Sequence, residues 1–145
     1  IITMLPWIAL VDKFQHWIYT NPNHTNEERE LKFAEMQQEL STGEINFTNY
    51  EDFRKTFWHK QLHLFEVPFY YIEYGIAQLG ALAMWQQYKV DKEKTLDNYM
   101  LALSKGYTQN LKALYKTAGI TFDFSASNIE ELSEFVQAEM KELLS

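Results

Sequence analysis

Residues 63–75 read His-Leu-Phe-Glu-Val-Pro-Phe-Tyr-Tyr-Ile-Glu-Tyr-Gly, so His63, Tyr70, Tyr71 and Tyr74 crowd around a single proline, Pro68. These side chains suit one kind of chemistry. A phenol with a pKa near ~10 remains a proton donor at neutral pH, so it can stabilise developing negative charge without first being protonated. An imidazole can donate from either ring nitrogen, according to its tautomer. A break between two helical patterns leaves backbone groups unpaired, and an irregular segment there can aim such donors into a cleft. Aromatic residues at helical spacing also pack cores, and from residue types alone both readings stand. Glu66 and Glu73 flank the run, and acid–base work by that pair would depend on their separation in space.

The remaining candidates are weaker. His59 and His63 stand at i, i+4 and could share a helix face as zinc ligands do. A zinc-peptidase helix carries glutamate directly after the first histidine, as general base on the metal-bound water. Here that position is Lys60, which cannot accept a proton at neutral pH. The pair therefore reads as exposed or capping histidines. His16, beside Trp17 on an apolar segment, is expected as a hydrogen-bonded core histidine, and His24 as an exposed turn residue. The chain has no cysteine, no Gly-x-Ser-x-Gly elbow and no glycine-rich phosphate loop, so its residues support neither nucleophilic nor phosphate chemistry of those kinds.

The elements that must position these groups read as helices throughout, and the expected fold class is all-α. Residues 1–19 are apolar almost all round, with Trp7, Leu10, Phe14 and Trp17 on one stripe and Met4, Ile8, Val11 and Ile18 on another. Such a helix needs covering on both sides, which predicts exposed apolar surface and self-association. Pro6 requires the helix to begin close to it or to kink there. Thr25 with Glu28 three residues on has capping-box spacing for a helix to about Leu40, with Leu31, Phe33, Ala34 and Met36 as a narrow buried stripe. A third helix is expected over residues 50–63 and a fourth over 69–88. The fourth carries Ala77, Gly80, Ala81 and Met84 as a face of mostly small residues that permits close approach. Residues 91–94 read as a polar turn, 95–105 and 108–118 as helices stopped at Gly106 and Gly119, and 121–124 as a short strand-like run. Residues 128–144 complete the chain as an amphipathic helix with Ile129, Leu132, Phe135, Val136, Met140 and Leu143 inward.

Composition bounds the function classes. The chain has 145 residues, 46% of them hydrophobic, enough for a real core, and residues 1–145 are expected to form one helical domain. A formal charge of −7 without any basic run argues against nucleic acid or an anionic membrane surface as partner. The longest uncharged run, residues 74–88, contains two glycines and three glutamines and is too short and polar to span a bilayer. The lack of cysteine fits a reducing compartment, and a cytoplasmic location is expected. The chain opens on Ile1 without a basic segment ahead of an apolar run, which reads as a fragment of a longer protein.

Three stretches carry a resemblance: residues 5–22, Leu-Pro-Trp-Ile-Ala-Leu-Val-Asp-Lys-Phe-Gln-His-Trp-Ile-Tyr-Thr-Asn-Pro; residues 61–80, which contain the histidine–tyrosine run; and residues 115–124, Tyr-Lys-Thr-Ala-Gly-Ile-Thr-Phe-Asp-Phe. Together they resemble the C-terminal end of bacterial oligoendopeptidase F, of the thimet-oligopeptidase-like zinc metallopeptidases. The resemblance implies a helical fold with a substrate channel, zinc on an H-E-x-x-H helix plus a later glutamate, and cleavage of short peptides. No H-E-x-x-H occurs in this chain. The zinc helix is then expected upstream, in a missing N-terminal part that would be this segment's partner, and the chain alone is expected to hold no zinc and to be inactive. The same resemblance assigns His63 and Tyr71 to catalysis as donors to the oxyanion and Tyr70 and Tyr74 to substrate contact, with short peptides as substrates, and it leaves open which of Tyr70, Tyr71 and Tyr74 meets the oxyanion. A helical interaction module that keeps the sequence without the chemistry is the alternative.

Overall fold

The computed structural model describes residues 2–145; Ile1, which the sequence places in the first helix, lies outside the described residues. Those residues form eight α-helices and one 3-10 turn, with no strand among them. The chain divides into two compact units, Ile1–Gly75 and Ile76–Ser145.

In the first unit, α1 (Met4–Thr20) begins two residues before Pro6, so the proline sits in the opening turn, where its missing N–H has no intrahelical partner to lose. Helix α2 (Asn26–Glu39) starts as its sequence dictates. The Thr25 hydroxyl accepts from the Glu28 N–H, and the Glu28 carboxylate accepts from the Thr25 N–H at 2.7 Å. The two helices pack through Leu10, Phe14, Phe33 and Met36, joined by Trp58. The rings of Phe14 and Phe33 meet edge-on at 5.0 Å. A second cluster of Ile8, Val11 and Tyr71 covers the middle of the other stripe of α1, while Met4 at its start is exposed. Of the apolar residues on α1, Ile8, Leu10, Val11 and Phe14 are buried and Trp7 is partly so, while Met4 and Tyr19 are exposed. In α2 the stripe is narrower than expected, since Leu31 is exposed.

The expected third helix is broken into three pieces. Helix α3 (Glu51–Thr56) tightens into the 3-10 turn Phe57–Lys60, and α4 (His63–Glu66) restarts after Gln61, which leaves helical space at φ −90°, ψ 86°. Gln61 is a buried polar residue. Burial of an amide requires partners, and the break lets its side chain reach them. Helix α5 (Ile72–Val90) then starts three residues later than expected, because Phe69 sits at φ 59°. A phenylalanine there is an outlier. Its N–H donates to the buried Gln15 Oε1 at 2.9 Å, and its ring lies against His16 and Tyr19.

In the second unit, α6 (Lys92–Lys105) begins where the sequence suggested a turn, because Asp91 caps it by accepting from the Lys94 N–H. Asn110 caps α7 (Leu111–Thr117) and Ser125 caps α8 (Ala126–Leu144) in the same way. Both follow the rule that a short polar side chain at N-cap satisfies an orphan donor. The 121–124 run is irregular, with Phe122 edge-on to Tyr115 and Phe124. The small-residue face of α5 has a specific occupant: the Tyr115 hydroxyl donates to the Ile76 carbonyl at 3.0 Å, and a Cβ on Gly80 would stand 2.6 Å from that oxygen. On α8 only Leu132 and Val136 are buried, while Ile129, Met140 and Leu143 of the expected inward stripe are exposed. Among the described residues no helix is long and apolar enough to cross a membrane.

Candidate functional site

The break at Gln61 and the left-handed turn at Phe69 bring the histidine–tyrosine run together within the first unit. His63, at the start of α4, lies among all three phenols: its ring centroid is 5.0 Å from Tyr71, 5.6 Å from Tyr74 and 6.1 Å from Tyr70. Tyr71 and Tyr74 are edge-on to it, and Tyr70 is nearly parallel. The tyrosines also touch one another, Tyr74 standing 5.2 Å from Tyr71 and 5.8 Å from Tyr70.

Burial divides the three. Tyr71 is 8% exposed and its ring belongs to the Ile8–Val11 cluster, so this residue packs in the core. Its hydroxyl has no hydrogen-bond partner among the described residues. Tyr70 and Tyr74 are exposed. Glu66 and Glu73 are exposed too, and neither makes a side-chain hydrogen bond or ion pair among the described residues.

A line of hydrogen bonds ties the cluster to α1. The Trp7 indole Nε1–H donates to Gln61 Oε1 at 3.2 Å, Gln61 Nε2 is 2.7 Å from His63 Nδ1, and His63 Nε2 is 3.2 Å from the Tyr74 hydroxyl. Sequence reasoning missed Gln61, and its signal was available: a glutamine on the apolar side of a helical pattern, two residues before the histidine.

The other histidines serve the scaffold. His59 lies on the 3-10 turn, exposed, with its ring against Trp58 at 4.1 Å, and the break at Gln61 removes the common helix face that i, i+4 spacing would give it with His63. Lys60 places its ammonium over the rings of Phe57 and Trp7, 3.7 and 4.6 Å from their centroids. His16 is exposed beside Asp12 at 3.4 Å rather than buried in the core. His24 is partly buried rather than exposed, contacting the Asn21 carbonyl and accepting from Arg29 Nε at 2.7 Å.

These donors do not fit a zinc ion. Both ring nitrogens of His63 are engaged, and among the described residues no three histidine, aspartate or glutamate side chains converge as ligands. A surface concavity of about 680 Å³ in the same unit, lined by residues that include Trp17, Asn21, His24, Glu28 and Lys32, shares none of the cluster's side chains.

The sequence pattern of peptidase family M3 matches residues 3–134. A 3.1 Å X-ray structure of a protein assigned to oligoendopeptidase F is similar in fold, with a TM-score of 0.80 over 96% of this chain and 24% sequence identity. This chain spans 25% of that one. No curated protein matches.

Proposed function

This chain belongs to peptidase family M3, and from that premise we propose that it is the C-terminal, substrate-contacting part of a zinc-dependent oligoendopeptidase that hydrolyses short peptides in the cytoplasm. The observation that carries the reading is the grouping of His63 with Tyr70, Tyr71 and Tyr74 on the histidine–tyrosine run. The zinc of the intact enzyme is held outside this chain, whose described residues bring no ligand set together, and the chain alone is inactive.

The residues present have a definite task. Hydrolysis places negative charge on the carbonyl oxygen of the scissile peptide bond, and fixed donors aimed at that oxygen lower the barrier. The Tyr71 hydroxyl, without a partner of its own, is one such donor. Tyr74 is the second: its oxygen is held by His63, and its exposed edge reaches solvent. His63 acts on the oxyanion through Tyr74, since its ring nitrogens are spent on Gln61 and Tyr74. Tyr70, stacked on His63 and exposed, offers a flat apolar face to a substrate side chain.

The test is hydrolysis of a quenched-fluorescent short peptide by the longer protein that carries an H-E-x-x-H segment together with this chain. Cleavage that a chelator abolishes and zinc restores supports the reading. Failure of that protein to cleave any short peptide, with zinc bound, would leave the helical interaction module in its place.

A further inference from the structure

Indole nitrogen can only donate, so the Trp7 contact fixes which end of the Gln61 amide faces it: the oxygen, at 3.2 Å. The amide NH2 is thereby turned towards His63 Nδ1, 2.7 Å away. An amide nitrogen can donate but not accept, so Nδ1 must be the unprotonated nitrogen and Nε2 must carry the hydrogen. That hydrogen points to the Tyr74 oxygen at 3.2 Å. Tyr74 accepts it, and its own O–H is left to donate elsewhere. We propose that Gln61 is a positioning residue, held by Trp7, that fixes His63 as the Nε2–H tautomer and so keeps the Tyr74 proton free for the substrate oxyanion.

Every link lies in the first unit, and the break between the 3-10 turn and α4 is what allows it. A helical ψ at Gln61 would continue the helix; the observed 86° instead coincides with a buried amide that reaches both Trp7 and His63. The use made of the Tyr74 proton rests on the peptidase reading above. The tautomer does not.

The experiment uses the 145-residue chain labelled with 15N, with long-range proton–nitrogen spectra at pH 8 and the His63 signals identified by their loss in His63→Ala. The wild-type chain is expected to show a protonated Nε2 and an unprotonated Nδ1 at His63. Gln61→Glu keeps the shape and can still accept from Trp7, but its carboxylate cannot donate. The hydrogen should therefore move to Nδ1 as the major species. Retention of the Nε2–H form in folded Gln61→Glu would overturn the proposal, as would an Nδ1–H form in the wild type. A nitrogen–nitrogen coupling across the hydrogen bond between Gln61 Nε2 and His63 Nδ1 makes the same test with no change in sequence, and its absence would also overturn it. Kinetics of Gln61→Glu in the whole peptidase separate the two levels. A moved hydrogen with an unchanged kcat would uphold the tautomer assignment and defeat the oxyanion role.

Discussion

Gly80→Ala should destabilise the chain even though it replaces a helix-interior glycine by the best helix former. In an open helix that exchange gains about 1 kcal/mol. Here the new Cβ would stand 2.6 Å from the Tyr115 hydroxyl oxygen, 3.0 Å from Cζ and 3.2 Å from Cε1. The ring cannot keep its place, and moving it strains or breaks the 3.0 Å bond to the Ile76 carbonyl. Loss of that bond costs about 1 kcal/mol and overpacking about 1–3 kcal/mol, so a net loss of roughly 1–3 kcal/mol is expected after the helix gain is subtracted. Urea unfolding followed by circular dichroism would read it as a lower midpoint with an unchanged slope. Tyr115→Phe removes the closest atom but leaves the ring carbons, so the double variant should recover part of the loss. A Gly80→Ala chain more stable than wild type would refute the packing argument, because it would mean that Tyr115 yields without cost.

On α8, Leu132→Ala should cost about 2–4 kcal/mol in the same unfolding assay, whereas Leu143→Ala, 80% exposed in the structure, should be close to neutral; equal effects would restore the wider stripe read from the sequence. The Glu28 carboxyl is held below its ordinary value of 4.5, first by the Thr25 backbone N–H and then by the Thr25 hydroxyl. A group whose folded pKa is lowered adds stability above its unfolded value and loses it as pH falls through the folded one. The gap in Tm between wild type and Glu28→Ala should therefore hold steady above about pH 5 and narrow in more acid solution, and a gap that widens there would contradict the capping assignment. Metal analysis of the 145-residue chain after dialysis against zinc should find less than one bound ion per chain; a stoichiometric ion lost on substitution of His59 or His63 would overturn the ligand argument.

How far the sequence could be read depended on the range of the interactions. The capping box at Thr25 and Glu28 is local, its partners lie three residues apart, and it appears as the spacing predicts. The all-helical class rests on periodicity and also holds. What periodicity could not supply were contacts between residues far apart in the chain. Residues 50–63 look like one helix because their apolar spacing is continuous, yet Gln61 leaves the helix for Trp7, 54 positions away. Phe69 turns left-handed against Gln15, at the same separation. Gly80 was legible as a packing glycine, but its partner Tyr115 was not. In α8 the pattern overstated burial, since the hydrophobic period says which face is apolar and not how much of it finds a neighbour. The same limit governed the site: residue types and a resemblance drew attention to His63 and the three tyrosines, while the engagement of both His63 nitrogens needed the fold.

The claim that this cluster stabilises an oxyanion is tested most directly by steady-state kinetics of Tyr71→Phe in the whole peptidase, with zinc content and helicity checked against wild type. The substitution removes only a hydroxyl and leaves the ring in the Ile8–Val11 cluster, so packing is preserved. Loss of a donor used in the transition state should lower kcat by roughly 10²–10³ with little change in KM. A kcat close to wild type would contradict the account and leave Tyr71 as a core residue.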